Sequence, residues 1–296
     1  MIRYVRVLIT VCAFTFFAAV ALAAPLANHV FIVSFDGGNA AVMQQSAMPT
    51  LKKMMKEGAG TWKAQTTFPS VTLVSHASML TGVGPAKHNV IWNGWEPERG
   101  PLAVTTAFTE AKKTGMTTAM YVSKRKLEHL SLPGSVDSFE VPSSKSNDVA
   151  AAVSKHIVEK KPSLCFIHFT DTDSTGHKFG WGSPEQVRAF GDEDNALDAV
   201  RDAISAARLA KDSVVILTAD HGGHEKTHGT DSPEDMTIPW IAWGKGVKRG
   251  FSIAAPVTTY DTAATALWLL DVPIPAEWDG KPVTSAFKRK AVAAAN

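Results

Sequence analysis

Five apolar runs of strand length punctuate the chain: HVFIVSF (29–35), TTAMYVS (117–123), SLCFIHF (163–169), SVVILTA (213–219) and TIPWIAW (237–243). Near-continuous runs of this kind mark strands covered on both faces, and stretches of helical period separate them. One helix start is explicit. In Ser183-Pro184-Glu185-Gln186 a serine stands at the N-cap, a proline at the first helical position and a glutamine where it completes a capping box, which predicts a helix running to about Leu209. No internal repeat, low-complexity linker or break in composition interrupts the alternation. The pattern predicts an α/β fold, a mostly parallel central sheet flanked by helices, built as one domain over residues 24–296.

Three of the runs end in acidic residues: Asp36 after FIVSF, Asp171 and Asp173 after FIHFT, and Asp220 with His221 after VILTA. A lone aspartate after a strand is ordinarily a turn or helix cap. Three together, two of them with histidine close behind, predict a shared site, because open α/β sheets bind ligands at the carboxyl ends of their strands.

Composition narrows the setting. With 296 residues and 45% hydrophobic content the chain can build a large core. Its formal net charge of +2 is too weak to suggest a nucleic acid polymer as partner. Arg3 and Arg6, an apolar run from Val7 to Val20 and the small-residue site Ala21-Leu22-Ala23 form a secretory signal, with cleavage expected after about Ala23 and a secreted or periplasmic destination. No later apolar stretch reaches the roughly 20 residues that span a bilayer, so no stable membrane insertion is expected after cleavage. Loss of Cys12 with the signal leaves Cys165, in an apolar run, as a buried hydrophobe unable to form an internal disulfide. The basic stretch AFKRKAVAAAN reads as a solvated C-terminal tail.

Six short stretches carry the chemistry: FDGG (35–38), TLVSHASMLTG (72–82), IWN (91–93), DTDSTGH (171–177), TADHGG (218–223) and THGTD (227–231). Together they resemble the alkaline phosphatase superfamily, in particular its branch of nucleotide pyrophosphatase/phosphodiesterases and phosphonoacetate hydrolase, over about Val30 to Pro282. In that branch the nucleophile lies nine residues before the threonine of a Thr-Gly pair and twenty-one before an asparagine. Counting from Thr81-Gly82 and from Asn93 gives Thr72 both times. Thr67-Phe68-Pro69 resembles the branch's threonine-phenylalanine-proline signature but would need an insertion, so Thr72 is the expected nucleophile.

The resemblance implies two divalent metal ions, with Asp173, His177 and His228 on one, and Asp36, Asp220, His221 and the Thr72 oxygen on the other. Carboxylates with imidazoles suit zinc, although manganese or iron accept the same residue types. Asn93 is expected to donate a hydrogen bond to the phosphoryl group. Lys124 and Lys126, in YVSKRKLEHL, resemble a Lys-x-Lys segment that covers a dianionic phosphoryl group, while a solvated basic turn is the bland alternative. His224 rivals His228 as a ligand and is assigned to substrate contact, and Asp171 is expected to support a ligand histidine. His88, His129 and His168 are read as structural or exposed.

The expected protein is thus an exported two-metal hydrolase acting on a small phosphorylated substrate through a phosphothreonine intermediate. Lys124 and Lys126 tilt the expectation to terminal phosphoryl or phosphonate substrates. The alternative is a type I phosphodiesterase or nucleotide pyrophosphatase, with Phe68, Trp92 and Trp95 as candidates for an aromatic nucleoside slot. A third reading, a non-catalytic protein binding metal or a phosphorylated ligand, sits poorly with a complete set of nucleophile and ligands.

Overall fold

The computed structural model describes residues 25–288. The signal-like segment, Cys12 and most of the basic tail lie outside them. Eight strands form one sheet: β1 (His29–Phe35), β2 (Ala59–Gln65), β3 (Thr118–Val122), β4 (Ser138–Glu140), β5 (Leu164–Phe169), β6 (Ser213–Ala219), β7 (Thr237–Gly244) and β8 (Phe251–Ser252), in the order β4-β3-β5-β1-β6-β7-β2-β8. Strand β1 is central, with Val30 registered against Leu164 of β5 on one side and Val214 of β6 on the other. Both pairings are parallel.

The five apolar runs all become strands, but β7 runs against both of its neighbours, β6 and β2. An apolar run encodes burial and not direction; the segment from Asp220 to Met236 folds back at the same sheet edge and so returns the chain antiparallel. Strands β2, β4 and β8 have no apolar run to announce them. β2 (AGTWKAQ) mixes glycine and charge, and its pairing with β7 shifts register between Thr61 and Ala64.

Alternate residues of β1 feed two cores. Val30 and Ile32 face the layer containing the helix Thr72–Thr81, while Phe31, Val33 and Phe35 face the helices Pro49–Glu57, Ser146–Lys160 and Pro184–Ala206. The period of 2 in a strand makes this division obligatory. Truncating a fully buried ring such as Phe31 to alanine would cost about 3–5 kcal/mol. The helix Pro184–Ala206 starts at the expected proline, with the Ser183 hydroxyl accepting the Gln186 N–H at 3.2 Å, but the Gln186 side chain accepts the Gly182 N–H at 2.7 Å and closes no capping box.

The topology decides where chemistry can gather. Strands β1, β2, β3, β5 and β6 point the same way, so Asp36, the segment leading to Thr72, Lys124, the helix Asp171–Phe179 and Asp220 all emerge at one edge. Among the described residues no helix is long and apolar enough to cross a membrane.

Candidate active site and metal centre

Thr72 opens the fully buried helix Thr72–Thr81, which ends at Gly82 in the left-handed region at φ 70°. A Cβ there would lie 2.2 Å from the Trp278 ring, so the Thr81-Gly82 pair is fixed both by backbone geometry and by packing. The N-cap residue, Val71, offers no side-chain cap. Instead the Leu73 N–H donates to Asn93 Oδ1 at 2.9 Å, and Lys126 Nζ donates to the same oxygen at 3.1 Å. With Oδ1 taken by two donors, the Asn93 amide nitrogen is the atom left to face a ligand.

Asp36, Asp220 and His221 form an inner group, each fully buried. Asp220 Oδ1 accepts the Gly37 N–H at 3.0 Å and the His221 N–H at 2.9 Å. Gly37 has φ 70°, and a side chain there would press on Asp173, so glycine lets the β1 turn close over the site. Asp36 Oδ2 lies 2.9 Å from His168 Nε2 and 2.7 Å from Lys124 Nζ. The His221 Nε2 is 3.4 Å from Asp36 Oδ1, 3.3 Å from Asp220 Oδ2 and 3.5 Å from the Thr72 hydroxyl.

The outer group centres on Asp173, at the start of the helix Asp171–Phe179. Its Oδ2 lies 2.6 Å from Lys124 Nζ, and its Oδ1 faces His177 Nε2 at 3.4 Å and His228 Nε2 at 3.6 Å. His177 stands one helical turn beyond Asp173 and is 45% exposed at its side chain. Asp173, His221 and His228 also converge within 4.8 Å, because the His221 ring stacks on His228 with centroids 3.7 Å apart. His221 therefore borders both groups.

Two features fit these residues to metal ions. Asp36 Oδ1, Asp173 Oδ1 and Asp220 Oδ2 are buried with no hydrogen-bond partner, one orphan oxygen on each carboxylate. Each facing histidine engages a backbone carbonyl through Nδ1: His177 with Lys226 at 3.0 Å, His221 with Gly222 at 2.8 Å and His228 with Ser70 at 2.9 Å. Donation through Nδ1 leaves Nε2 facing the orphan oxygens as the atom that would ligate a metal once it has shed any proton. Carboxylate oxygens and imidazole nitrogens in this mixture suit zinc.

The electrostatics show the same demand for positive charge. Burial, then the charge of Asp36, push Asp220 up to about 8. Burial pulls His221 down, but Asp220 and Asp36 outweigh it and raise the ring to about 9. Burial also raises Asp36, yet Lys124, His168 and His221 hold it well below the usual carboxylate range. Burial and the charge of His221 bring His228 down to about 4. Against burial and the charge of Asp36, His177 and Lys124 hold Asp173 at about 2.

Some of the remaining residues differ from their sequence assignments and others keep them. His168, read as structural or exposed, bonds Asp36. His76, one turn beyond Thr72 on the same helix face, bonds the Thr72 carbonyl at 2.8 Å and Ser34 at 2.8 Å, with Asp220 Oδ2 3.5 Å away. Its signal was the four-residue spacing from Thr72. Asp171 supports no ligand histidine; its Oδ2 accepts the Ser146 N–H at 3.0 Å, because the first turn of its helix faces the start of the helix Ser146–Lys160. His224 lies outside both groups and bonds Asp235 at 2.7 Å, bracing the loop that holds His228. His88 bonds Ser78 and the Val90 N–H, a structural role. The Thr67 hydroxyl donates to Ser78, whereas that of Thr72 faces His221. Trp181, unnoticed in the sequence, bonds the Gly37 carbonyl at 3.1 Å and packs edge-on against His177.

The family model for type I phosphodiesterase / nucleotide pyrophosphatase matches residues 30–236, a span containing every member of both groups. The chain belongs to this family. It is 24% identical over 215 residues to the bis(5'-adenosyl)-triphosphatase of Bos taurus, covering 65% of this chain and 47% of that one. Over 218 residues it is 26% identical to ectonucleotide pyrophosphatase/phosphodiesterase family member 7 of Mus musculus, covering 66% and 50%. The chain thus spans about half the length of the curated relatives it matches. In fold it resembles murine ectonucleotide pyrophosphatase/phosphodiesterase 5 in complex with AMP, with a TM-score of 0.76 at 15% identity over 88% of this chain and 100% of that one. It also resembles the phosphonate monoester hydrolase of Silicibacter pomeroyi, with a TM-score of 0.65 at 14% identity over 86% and 75%.

Proposed function

We propose that the chain is a two-metal hydrolase that cleaves phosphoric diesters or pyrophosphates through a phosphothreonine at Thr72. The observation that carries this is the Thr72 hydroxyl at a helix N-terminus, facing His221 where two buried carboxylate and histidine groups meet. Asp36, Asp220 and His221 would hold one ion and Asp173, His177 and His228 the other. When bound, such ions supply Lewis acidity that polarises a phosphoryl group and makes a hydroxyl nucleophilic at neutral pH.

The remaining work falls to the chain. Thr72 Oγ gives up its proton to solvent and forms a bond to phosphorus as the bond to the leaving oxygen breaks, and the leaving oxygen takes a proton from water. The Asn93 amide donates to a non-bridging oxygen as charge shifts onto it. Water then attacks the phosphothreonine, releasing the phosphate product and restoring the threonine hydroxyl. The relatives' names as ectoenzymes support export, in line with the signal-like first 23 residues.

Family membership supports diester and pyrophosphate substrates over the terminal phosphoryl group that the lysines suggested. A second reading keeps that group, because Lys124 and Lys126 both point into the site instead of forming a solvated turn. A terminal phosphoryl or phosphonate group has an additional negative oxygen for them to neutralise. One face of Trp92 and one of Trp95 already carry Arg99 and Arg125, at 4.4 and 5.3 Å, which leaves Phe68, 59% exposed, as the open aromatic of the three slot candidates.

Turnover by the zinc-loaded chain of an aryl phosphate diester beside the matching monoester separates these readings. The first predicts faster diester hydrolysis. Replacing Lys124 and Lys126 together by alanine should then lower monoester kcat/KM about 10- to 100-fold more than diester kcat/KM only if the second reading holds. Failure to cleave either ester, with two ions bound, would overturn both.

A further inference from the structure

Asn93 and Lys126 come from different segments, and something must hold those segments together. Leu127 and Leu130 anchor the 3-10 helix Arg125–Leu130 in the core. The loop 91–99 is largely exposed and has no such anchor beyond the partly buried Trp92. Among the described residues two hydrogen bonds join loop to helix: Lys126 Nζ to Asn93 Oδ1 at 3.1 Å, and the Glu96 N–H to His129 Nε2 at 3.0 Å.

His129, only 6% exposed, is also the centre of a stack. Its ring meets Trp92 edge-on with centroids 5.6 Å apart and Trp95 at 4.6 Å, while Arg99 covers Trp92 and Arg125 covers Trp95. Glu96 pairs with Arg99 and Glu128 with Arg125, closing the arrangement at both ends. Aromatic and cation–π contacts of this kind contribute about 0.5–1.5 kcal/mol each, enough together to hold a short exposed loop in one geometry.

We propose that His129 is a positioning residue that locks loop 91–99 onto the helix Arg125–Leu130 and so presents Asn93 and Lys126 as one unit beside Thr72. The proposal rests on the phosphoryl-transfer reading above. Asn93 connects the unit to the nucleophile, since its Oδ1 accepts the Leu73 N–H at the helix start. A shift of the loop by about 1 Å would withdraw a transition-state donor and a cation at once, a displacement that can cost up to about 100-fold in rate.

The test compares His129→Ala, His129→Phe and His129→Gln with the zinc-loaded parent. In His129→Ala, hydrogen exchange over 91–99 should rise, and aryl phosphate ester hydrolysis should fall about tenfold in kcat with KM little changed. His129→Gln, which returns an acceptor near the Nε2 position, should recover most of the rate, and His129→Phe, which keeps the ring alone, should fall between. Adding His129→Ala to the double variant Asn93→Ala/Lys126→Ala should cost little beyond that variant itself, because His129 acts through those two residues.

Unchanged exchange over 91–99, or losses that simply add, would overturn the proposal even if one variant fails to fold, since the phenylalanine and glutamine forms supply the same readouts. A parent that neither hydrolyses the ester nor binds inorganic phosphate in calorimetry would instead sink the phosphoryl-transfer reading. Exchange in the same variants would still decide whether His129 couples the two segments.

Discussion

The inner and outer carboxylate–histidine groups share residue types and a border at His221, yet they are built differently. The inner one sits directly on strand ends, fully buried, with His168 and His76 behind its carboxylates. The outer one hangs on a helix and a loop, and His177 reaches solvent. A rigid, dry site with two carboxylates should grip an ion tightly and pay heavily for lacking one. A partly wet site with one carboxylate should bind more loosely and exchange more readily.

The largest effect that could break this comparison lies where the groups meet. Thr72→Ala should lower turnover by about 10⁴-fold or more while both ions stay bound, because aspartate and histidine supply most of the coordination. Thr67→Ala should stay within a few-fold of the parent in the same assay. The reverse result would move the nucleophile and with it the meeting point of the two groups.

Next in size is the contrast between ligands. Asp220→Asn should lose the inner ion at any practical zinc concentration, read by elemental analysis after gel filtration, and leave the chain inactive. His177→Ala should lose only the outer ion, and excess zinc should restore much of its activity. Equal behaviour of the two variants would erase the distinction. His168→Phe should then sharpen it, weakening the inner ion about 10- to 100-fold through the loosened Asp36 with the outer ion hardly affected.

A smaller effect concerns the ion-free protein and pH. Asp220, raised to about 8, holds a proton in the folded chain that the unfolded chain has released, so its charge costs stability increasingly between about pH 4 and 8. His221, raised to about 9, adds stability that is complete below its ordinary value and lost as pH rises through about 9. Both signs agree. The Tm of the ion-free chain should fall from pH 7 to pH 9, above the range in which His228, brought down to about 4, works the other way, and zinc should flatten the slope.

The two groups also differ in how well the sequence disclosed them. Asp36 and Asp220 follow apolar runs directly, so strand period and sheet topology predict their convergence before any coordinates. Asp173 also follows an apolar run, two residues further on, but His177 came only with the resemblance, as did the choice of His228 over His224. His168 and His76 stayed hidden because their surroundings read as core: one lies inside an apolar strand, the other inside a fully buried helix. Burial alone does not separate a packed histidine from one that orients a carboxylate. The direction of β7 and the strands β2, β4 and β8 escaped for a related reason, being set by neighbours across the sheet and not by local pattern.

The account stands or falls on two ions held with unequal grip, and calorimetric titration of the ion-free chain with zinc at pH 7, in two buffers of different ionisation enthalpy, tests it most directly. Two binding steps should appear. The tighter should release the more protons, because Asp220 and His221 are both raised and a ligand must shed its proton to coordinate. The weaker should release fewer, with His177, raised by Asp173, as their source, since Asp173 is already charged and His228 already neutral at that pH. A single step, or two steps of equal affinity with equal proton release, would contradict it.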